Sequence, residues 1–190
     1  MGSPTPIASK DRDNRRILFF GDFTETQAKE VVGNLLDLEE KDPTKDIAIY
    51  IDSYGGLLDS AIAIHDVIKT IRCRVAGICV GKAMSCGAFL LMSCTKGLRF
   101  MTPNSRIMLH ETSGGTFGGV SEMDIEIAEF RRMQSVMFEL MLKNSGMNRR
   151  DLSSLCKKTS AYVDAKRAVE LGIADEILNS NVLLSQKLSM

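Results

Sequence analysis

The chain is poor in the residues that most often mark a metal site, a disulfide framework or a membrane anchor. Its 190 residues include only two histidines, His65 and His110, so any histidine base is one of these two. The five cysteines, at 73, 79, 86, 94 and 156, form no CxxC pair and are odd in number. They read as reduced thiols of a cytoplasmic protein. Neither a metal nor a cofactor is expected. No apolar run approaches the ~20 residues that cross a bilayer, and Met1 to Asn14 lacks the apolar core of a signal peptide. Formal net charge is zero, from 24 basic and 24 acidic side chains. That balance gives no footprint for nucleic acid or an anionic membrane surface. A phosphate-binding GxxxxGK[ST] motif is also missing, so any use of ATP belongs to a partner.

What is present is the patterning of an α/β protein. Arg16 to Phe20 reads as a strand closed by Gly21-Asp22. Thr24 with Gln27 three residues on forms a capping box, and an amphipathic helix follows to about Glu40. Asp46 to Asp52 is a continuous apolar strand of the kind buried in a parallel sheet. Ser53-Tyr54-Gly55-Gly56 breaks it, and Asp59 to Ile71 is helical. Val75 to Val80 is a third strand, so the order is βαβαβα with short links. Leu98 to Met101 and Arg106 to Leu109 read as two more strands.

After the glycine-rich stretch Thr112 to Val120, a long helix is expected from Ser121, capped with Asp124, to about Asn144. Its methionines and phenylalanines read as packing or interface residues rather than a ligand pocket. Asn148 caps a helix over Arg149 to Lys157. Asp164 caps another over Ala165 to Leu171, Gly172 closes it, and Ile173 to Leu178 is a last strand.

The chemistry centres on Gly81-Lys82-Ala83-Met84-Ser85-Cys86-Gly87-Ala88-Phe89. A serine between a strand and a helix can project its hydroxyl beside backbone N–H groups that favour negative charge. On this stretch alone the favoured reading is a helix cap, with the glycines allowing close packing, and what shifts the balance lies elsewhere in the chain. His110 ends a strand 25 residues later, and Gly55-Gly56 ends an earlier one. Sites in open α/β sheets gather at the carboxyl ends of strands, which brings all three to one edge. Lys82 suggests a Ser-Lys dyad, but a solvated or ion-paired lysine is favoured, because a lysine base needs burial to depress its pKa. His65 is read as a packing or surface residue.

Several motifs in order then identify a resemblance. Lys96 to His110, Gly87-Ala88-Phe89-Leu90-Leu91, Asp124-Ile125-Glu126-Ile127 and Ala168-Val169-Glu170-Leu171-Gly172 resemble the proteolytic subunit of the Clp protease, the ClpP-like serine peptidases. The resemblance covers about residues 15 to 178. It implies an α/β, ClpP/crotonase-like layered fold of repeated β-β-α and βα units with a protruding strand-helix handle at about 111–144. Residues 1–14 are then a flexible N-terminal segment and 179–190 a C-terminal tail.

The resemblance also implies roles. Ser85 is the nucleophile, His110 its general base, and the backbone N–H groups of Gly56 and Cys86 form the oxyanion hole. The implied protein is a subunit of two stacked heptameric rings that cleave unfolded polypeptides fed in by an AAA+ unfoldase ATPase. The chain departs from the family pattern at Tyr54, where proline is usual, at Cys86, where methionine is usual, and at Glu111-Thr112, in place of Gln-Pro. The position of the third triad residue, usually aspartate, is Ser160. Asp164 reads as a cap rather than a substitute. The departure at 160 keeps open an alternative, a catalytically impaired paralogue serving as a structural subunit of a mixed ring. Acyl-CoA-binding relatives of the crotonase fold are a weaker option, since they do not require this Ser/His pair.

Overall fold

Alternating apolar strands and amphipathic helices leave one arrangement that buries both, a parallel sheet with helices packed on its face. The computed structural model describes residues 10–11, 15–156, 160–179 and 184–190. The expected flexible segment 1–14 lies largely outside them; within it, strand β1 (Lys10–Asp11) pairs antiparallel with β2 (Arg16–Phe23). Helix α1 (Glu25–Lys41), strand β3 (Ile47–Gly56), helix α2 (Leu58–Thr70), strand β4 (Val75–Met84) and helix α3 (Cys86–Ser93) follow. Strands β2, β3 and β4 are parallel neighbours. Thr24 Oγ1 accepts from the Gln27 amide at 3.1 Å, as the capping motif predicts.

β4 is longer than its apolar run suggests, because two strands share its far edge. Its first half pairs with β5 (Arg99–Met101) and its second half with β6 (Arg106–Leu109), both parallel. β3 likewise runs on through the two glycines. Helix α4 (Val120–Asn144) begins one residue earlier than expected, and the cap differs: Glu122 accepts from the Gly119 amide at 3.0 Å. Helix α5 (Arg149–Cys156) is capped by Asn148, whose Oδ1 accepts from the Asp151 amide at 2.9 Å.

Strand β7 (Ala161–Asp164) was not evident in the sequence; it pairs antiparallel with β6. Asp164 caps α6 (Ala165–Glu170), accepting from the Arg167 amide at 2.8 Å, and Gly172 ends the turn with φ +65°. The last strand shrinks to β8 (Glu176–Ile177), paired with β5.

Side-chain alternation sorts the sheet into two faces. Ile47, Ile49, Ile51, Val75 and Cys79 face the helices and join the main core with Phe19, Phe23 and α3. Every residue of α3 is buried. Gly77 permits this, since a Cβ there would lie 2.8 Å from Cys94 Sγ. Ala48, Ala76, Ile78 and Phe100 face the other way and are covered by Leu188, beyond helix α7 (Leu184–Lys187). The tail is anchored by Asp46, whose amide donates to the Ser189 carbonyl at 2.7 Å. The Asp46 carboxylate pairs with Arg74 and accepts from the Ser189 amide at 2.9 Å.

His65 is a core residue. Ser93 Oγ donates to the Phe89 carbonyl at 2.7 Å, so the hydrogen in the 2.8 Å contact between Ser93 Oγ and His65 Nδ1 comes from the ring. Burial, then the charge of Lys69, holds the imidazole pKa below its usual value, which keeps it neutral.

The buried cation Arg99, 1% exposed, ties β5 to two later segments. Its Nε and Nη2 donate to the two carboxylate oxygens of Asp175 at 2.9 and 2.5 Å, and Nη1 donates to the Asn144 carbonyl at the end of α4. Burial pushes the Asp175 carboxyl up, but Arg99 and the Arg99 and Gly97 amides outweigh it, and the pKa falls below the usual value. Removing one partner of a buried pair leaves the other charge uncompensated, so Asp175→Ala is expected to cost about 3–5 kcal/mol in denaturant unfolding. The carboxylate's stabilisation is present above about pH 4 and is lost as pH falls through the lower folded-state value. Asp175→Asn should remove that acid-side slope from a pH series of melting temperatures.

Candidate active site

The parallel register of β3, β4 and β6 sets three carboxyl ends side by side, and Gly56, Ser85 and His110 stand at them. Ser85 joins β4 to α3 with φ 54° and ψ −119°, a left-handed backbone that costs a non-glycine residue energy. Its amide donates to the Met108 carbonyl of β6 at 2.8 Å. The serine occupies the cap position of α3 but makes no cap hydrogen bond. Its Oγ instead lies 2.8 Å from His110 Nε2. A plain capping role is therefore not what the hydroxyl does here.

The glycines of the β3 turn make this elbow possible. Gly55 and Gly56 have φ of +110° and +139°. A Cβ on Gly55 would lie 2.7 Å from Ser85 Cβ, and one on Gly56 would lie 2.5 Å from the Phe23 carbonyl oxygen. Cys86 Sγ donates to the Gly56 carbonyl at 3.4 Å, which links the turn to the start of α3. The Cys86 amide opens that helix and is one of its first-turn donors, at the positive end of the helix dipole.

The thiol itself is inert. Burial pushes its pKa up to about 11, and the other buried cysteines move the same way, Cys79 and Cys156 to about 11 and Cys94 to about 12. A thiolate is the reactive form, and near neutrality these side chains are thiols. All five are free.

The remaining candidates separate cleanly. Lys82 is ion-paired to Asp52 and is not directed at Ser85. Asp164 sits opposite Arg106 in the β6–β7 register, while Ala161 sits opposite Leu109. Ser160, exposed, is the next residue toward His110. Four residue steps separate it from Asp164, about 13 Å at the usual rise. No hydrogen bond among the described residues gives His110 a carboxylate partner. The charge of Glu111 is felt at Cys156, after burial the second cause of that thiol's raised pKa.

A cavity of about 560 Å³ opens beside the Ser85–His110 pair. Its far wall is the underside of α4, with Met133, Met137, Phe138 and Met141. Met137 and Met141 are buried, as a packing role requires, but the same face also lines this cleft. Sequence reasoning missed that second role. Its one signal was the spacing 133, 137, 141 on a helix that begins ten residues after His110.

A protein-family model described as Clp protease matches residues 5–181.

The contact between Gly55 and the elbow is testable on its own. Gly55→Ala is expected to destabilise by roughly 1–3 kcal/mol, through a left-handed backbone and a clash with Ser85. Gly97→Ala is the control: φ is +88° there too, but a Cβ meets nothing within 4 Å. A clearly larger drop in melting temperature for Gly55→Ala is expected; equal drops would mean that the elbow is not held by this contact.

Proposed function

Because the chain belongs to the Clp protease family, we propose that it is a serine endopeptidase subunit in which Ser85 and His110 carry the chemistry. The observation that carries this reading is the 2.8 Å contact between Ser85 Oγ and His110 Nε2 at the mouth of the cleft. A serine hydroxyl is a weak nucleophile until a base takes its proton. Here His110 Nε2 accepts the proton as Ser85 Oγ attacks the scissile carbonyl. The oxygen gains negative charge and is met by the N–H groups of Gly56 and Cys86, the start of α3 adding its positive end. One such preorganised donor is typically worth about 10²–10³ in rate. His110 then gives the proton to the leaving amine. A water, activated by the same ring, releases the acyl group from Ser85.

The finer reading takes the assembly from the family. Substrates are unfolded polypeptides, the rings are two stacked heptamers, and an AAA+ unfoldase supplies the ATP chemistry for which this chain has no phosphate-binding motif. Two features support a role for residues 111–144 as the handle between rings. The first half of α4 is almost wholly exposed, and Phe117, Val120 and Ile125 on and before it are bare apolar side chains. No helix of the described residues is long and apolar enough to cross a membrane, and five free thiols fit a reducing cytoplasm.

The second reading, a structural subunit of a mixed ring, is favoured by one residue. A triad aspartate holds the histidine tautomer and stabilises the imidazolium; its exchange for asparagine in a serine protease costs about 10⁴ in kcat. Ser160 brings no charge. Intrinsic activity is therefore expected to be low.

Three variants test these proposals. Ser85→Ala is expected to abolish hydrolysis of a fluorogenic peptide while sedimentation shows the parent's ring assembly; the alanine variant turning over at the parent's rate, or a parent that stays monomeric at micromolar concentration, contradicts the reading. Ser160→Asp is expected to raise kcat roughly tenfold or more. Asp164→Ala is expected to leave kcat unchanged and to cost about 1 kcal/mol through loss of a cap. A collapse of activity in Asp164→Ala would instead make that aspartate the third triad member.

A further inference from the structure

The turn Ser53–Gly56 carries one of the two proposed oxyanion donors, yet the backbone ladders beside it slip on both sides. Between β3 and β4 the register passes from Ile51 opposite Cys79 to Ser53 opposite Ala83, two steps on one strand against four on the other. Between β2 and β3 it passes from Phe20 opposite Asp52 to Asp22 opposite Gly55, two steps against three. The two glycines that follow lack side chains to restrain them. A reacting group displaced by about 1 Å can lose much of its effect, so contacts beyond the regular ladder set the distance from this turn to Ser85. The close approach of Gly55 to Ser85 Cβ and the Cys86 Sγ bond to Gly56 act at its tip, and the slipped stretch behind it needs a restraint of its own.

One side chain spans the slipped stretch. Lys82 lies within it, three residues before Ser85, and alternates with the buried Ala83, so it faces away from the helices. Its ammonium pairs with Asp52 and lies 4.3 Å from the centre of the Tyr54 ring. Asp52 and Tyr54 are two apart on β3 and share that face. Gly81, with φ +80°, makes the room: a Cβ there would come within 2.8 Å of Asp52 Oδ2. The paired side chains are only 20% and 26% exposed, which shields the attraction from bulk water.

We infer that Lys82 is a positioning residue, whose ammonium, gripped by Asp52 and covered by Tyr54, clamps the oxyanion turn to the strand that carries Ser85. The inference rests on the assignment of Gly56 and Cys86 as oxyanion donors. Tyr54 thereby supplies through cation–π contact a restraint that proline, usual at this position in the family, supplies by fixing its own φ. Loosening the clamp blurs the position of Gly56 in the transition state and leaves the α4 wall of the cleft untouched. Its signature is a fall in kcat with little change in KM.

The test uses the full chain in its assembled form. Lys82→Met, Lys82→Arg and Tyr54→Leu are compared with the parent in kcat and KM on a short fluorogenic peptide, and in the rate at which a fluorophosphonate labels Ser85. Lys82→Met is expected to lower kcat and the labelling rate about tenfold or more, with KM within about twofold. Lys82→Arg keeps the charge and should recover most of the loss, and Tyr54→Leu should lower kcat by a smaller factor. Parent-like kcat in Lys82→Met, or a loss that Lys82→Arg does not recover, overturns the clamp. Should Lys82→Met fail to assemble, Tyr54→Leu decides, because that ring is 64% exposed; an unchanged kcat there overturns it. A parent that takes no label at Ser85 overturns the functional reading and the clamp with it, which distinguishes the two failures.

Discussion

The left-handed backbone at Ser85 is the constraint on which the rest of the site depends. A non-glycine residue at φ 54° is held against a cost of order 1–3 kcal/mol, and it persists only where its surroundings leave no alternative. Three supply that here: the bond from the Ser85 amide to β6, the wholly buried α3 that starts at the next residue, and the glycine turn of β3 pressed against the serine Cβ. Each comes from a different strand end of the parallel sheet. The conformation turns the hydroxyl away from a capping role and toward His110.

The same packing explains how polar groups are distributed around the site. The buried ion pairs among the described residues stand apart from the Ser85–His110 pair. Arg99 pairs with Asp175 and reaches the end of α4, Asp46 pairs with Arg74 and holds the tail, and Lys82 meets Asp52 beside the Ser53–Gly56 turn. The cleft beside Ser85 is lined by Met133, Met137, Phe138 and Met141 of α4, with the carboxylates of Glu25, Asp59, Glu126 and Glu129 also on its walls. Fixed backbone dipoles such as the amide that starts α3 favour negative charge without having to reorganise. The buried cysteines do not compete, since desolvation keeps them protonated.

Helix α4 divides into two halves with different neighbours. Its second half contributes Met137 and Met141 to the core and roofs the cleft, and its carboxyl end is fastened by Arg99. The first half has apolar side chains open to solvent. An apolar surface of that kind fits burial against further copies of the chain, in keeping with the ring assembly proposed here.

By itself, the sequence determined the alternation of strands and helices, most caps, and the gathering of Ser85, His110 and Gly55-Gly56 at one sheet edge, because these depend on local periodicity and on strand ends that a short segment carries whole. The caps Thr24, Asn148 and Asp164 are three-residue devices and were legible for that reason. Tertiary structure alone decided how far β3 and β4 run, because their extra length is paid out by neighbours distant in the chain. It also decided that β7 exists, since Ala161–Asp164 becomes a strand only by pairing with β6. That pairing brings Ser160 toward His110 and carries Asp164 away. The double use of the α4 methionines and the bridge of Lys82 across a slipped register were hidden for the same reason: each is a contact between segments whose register no local pattern specifies.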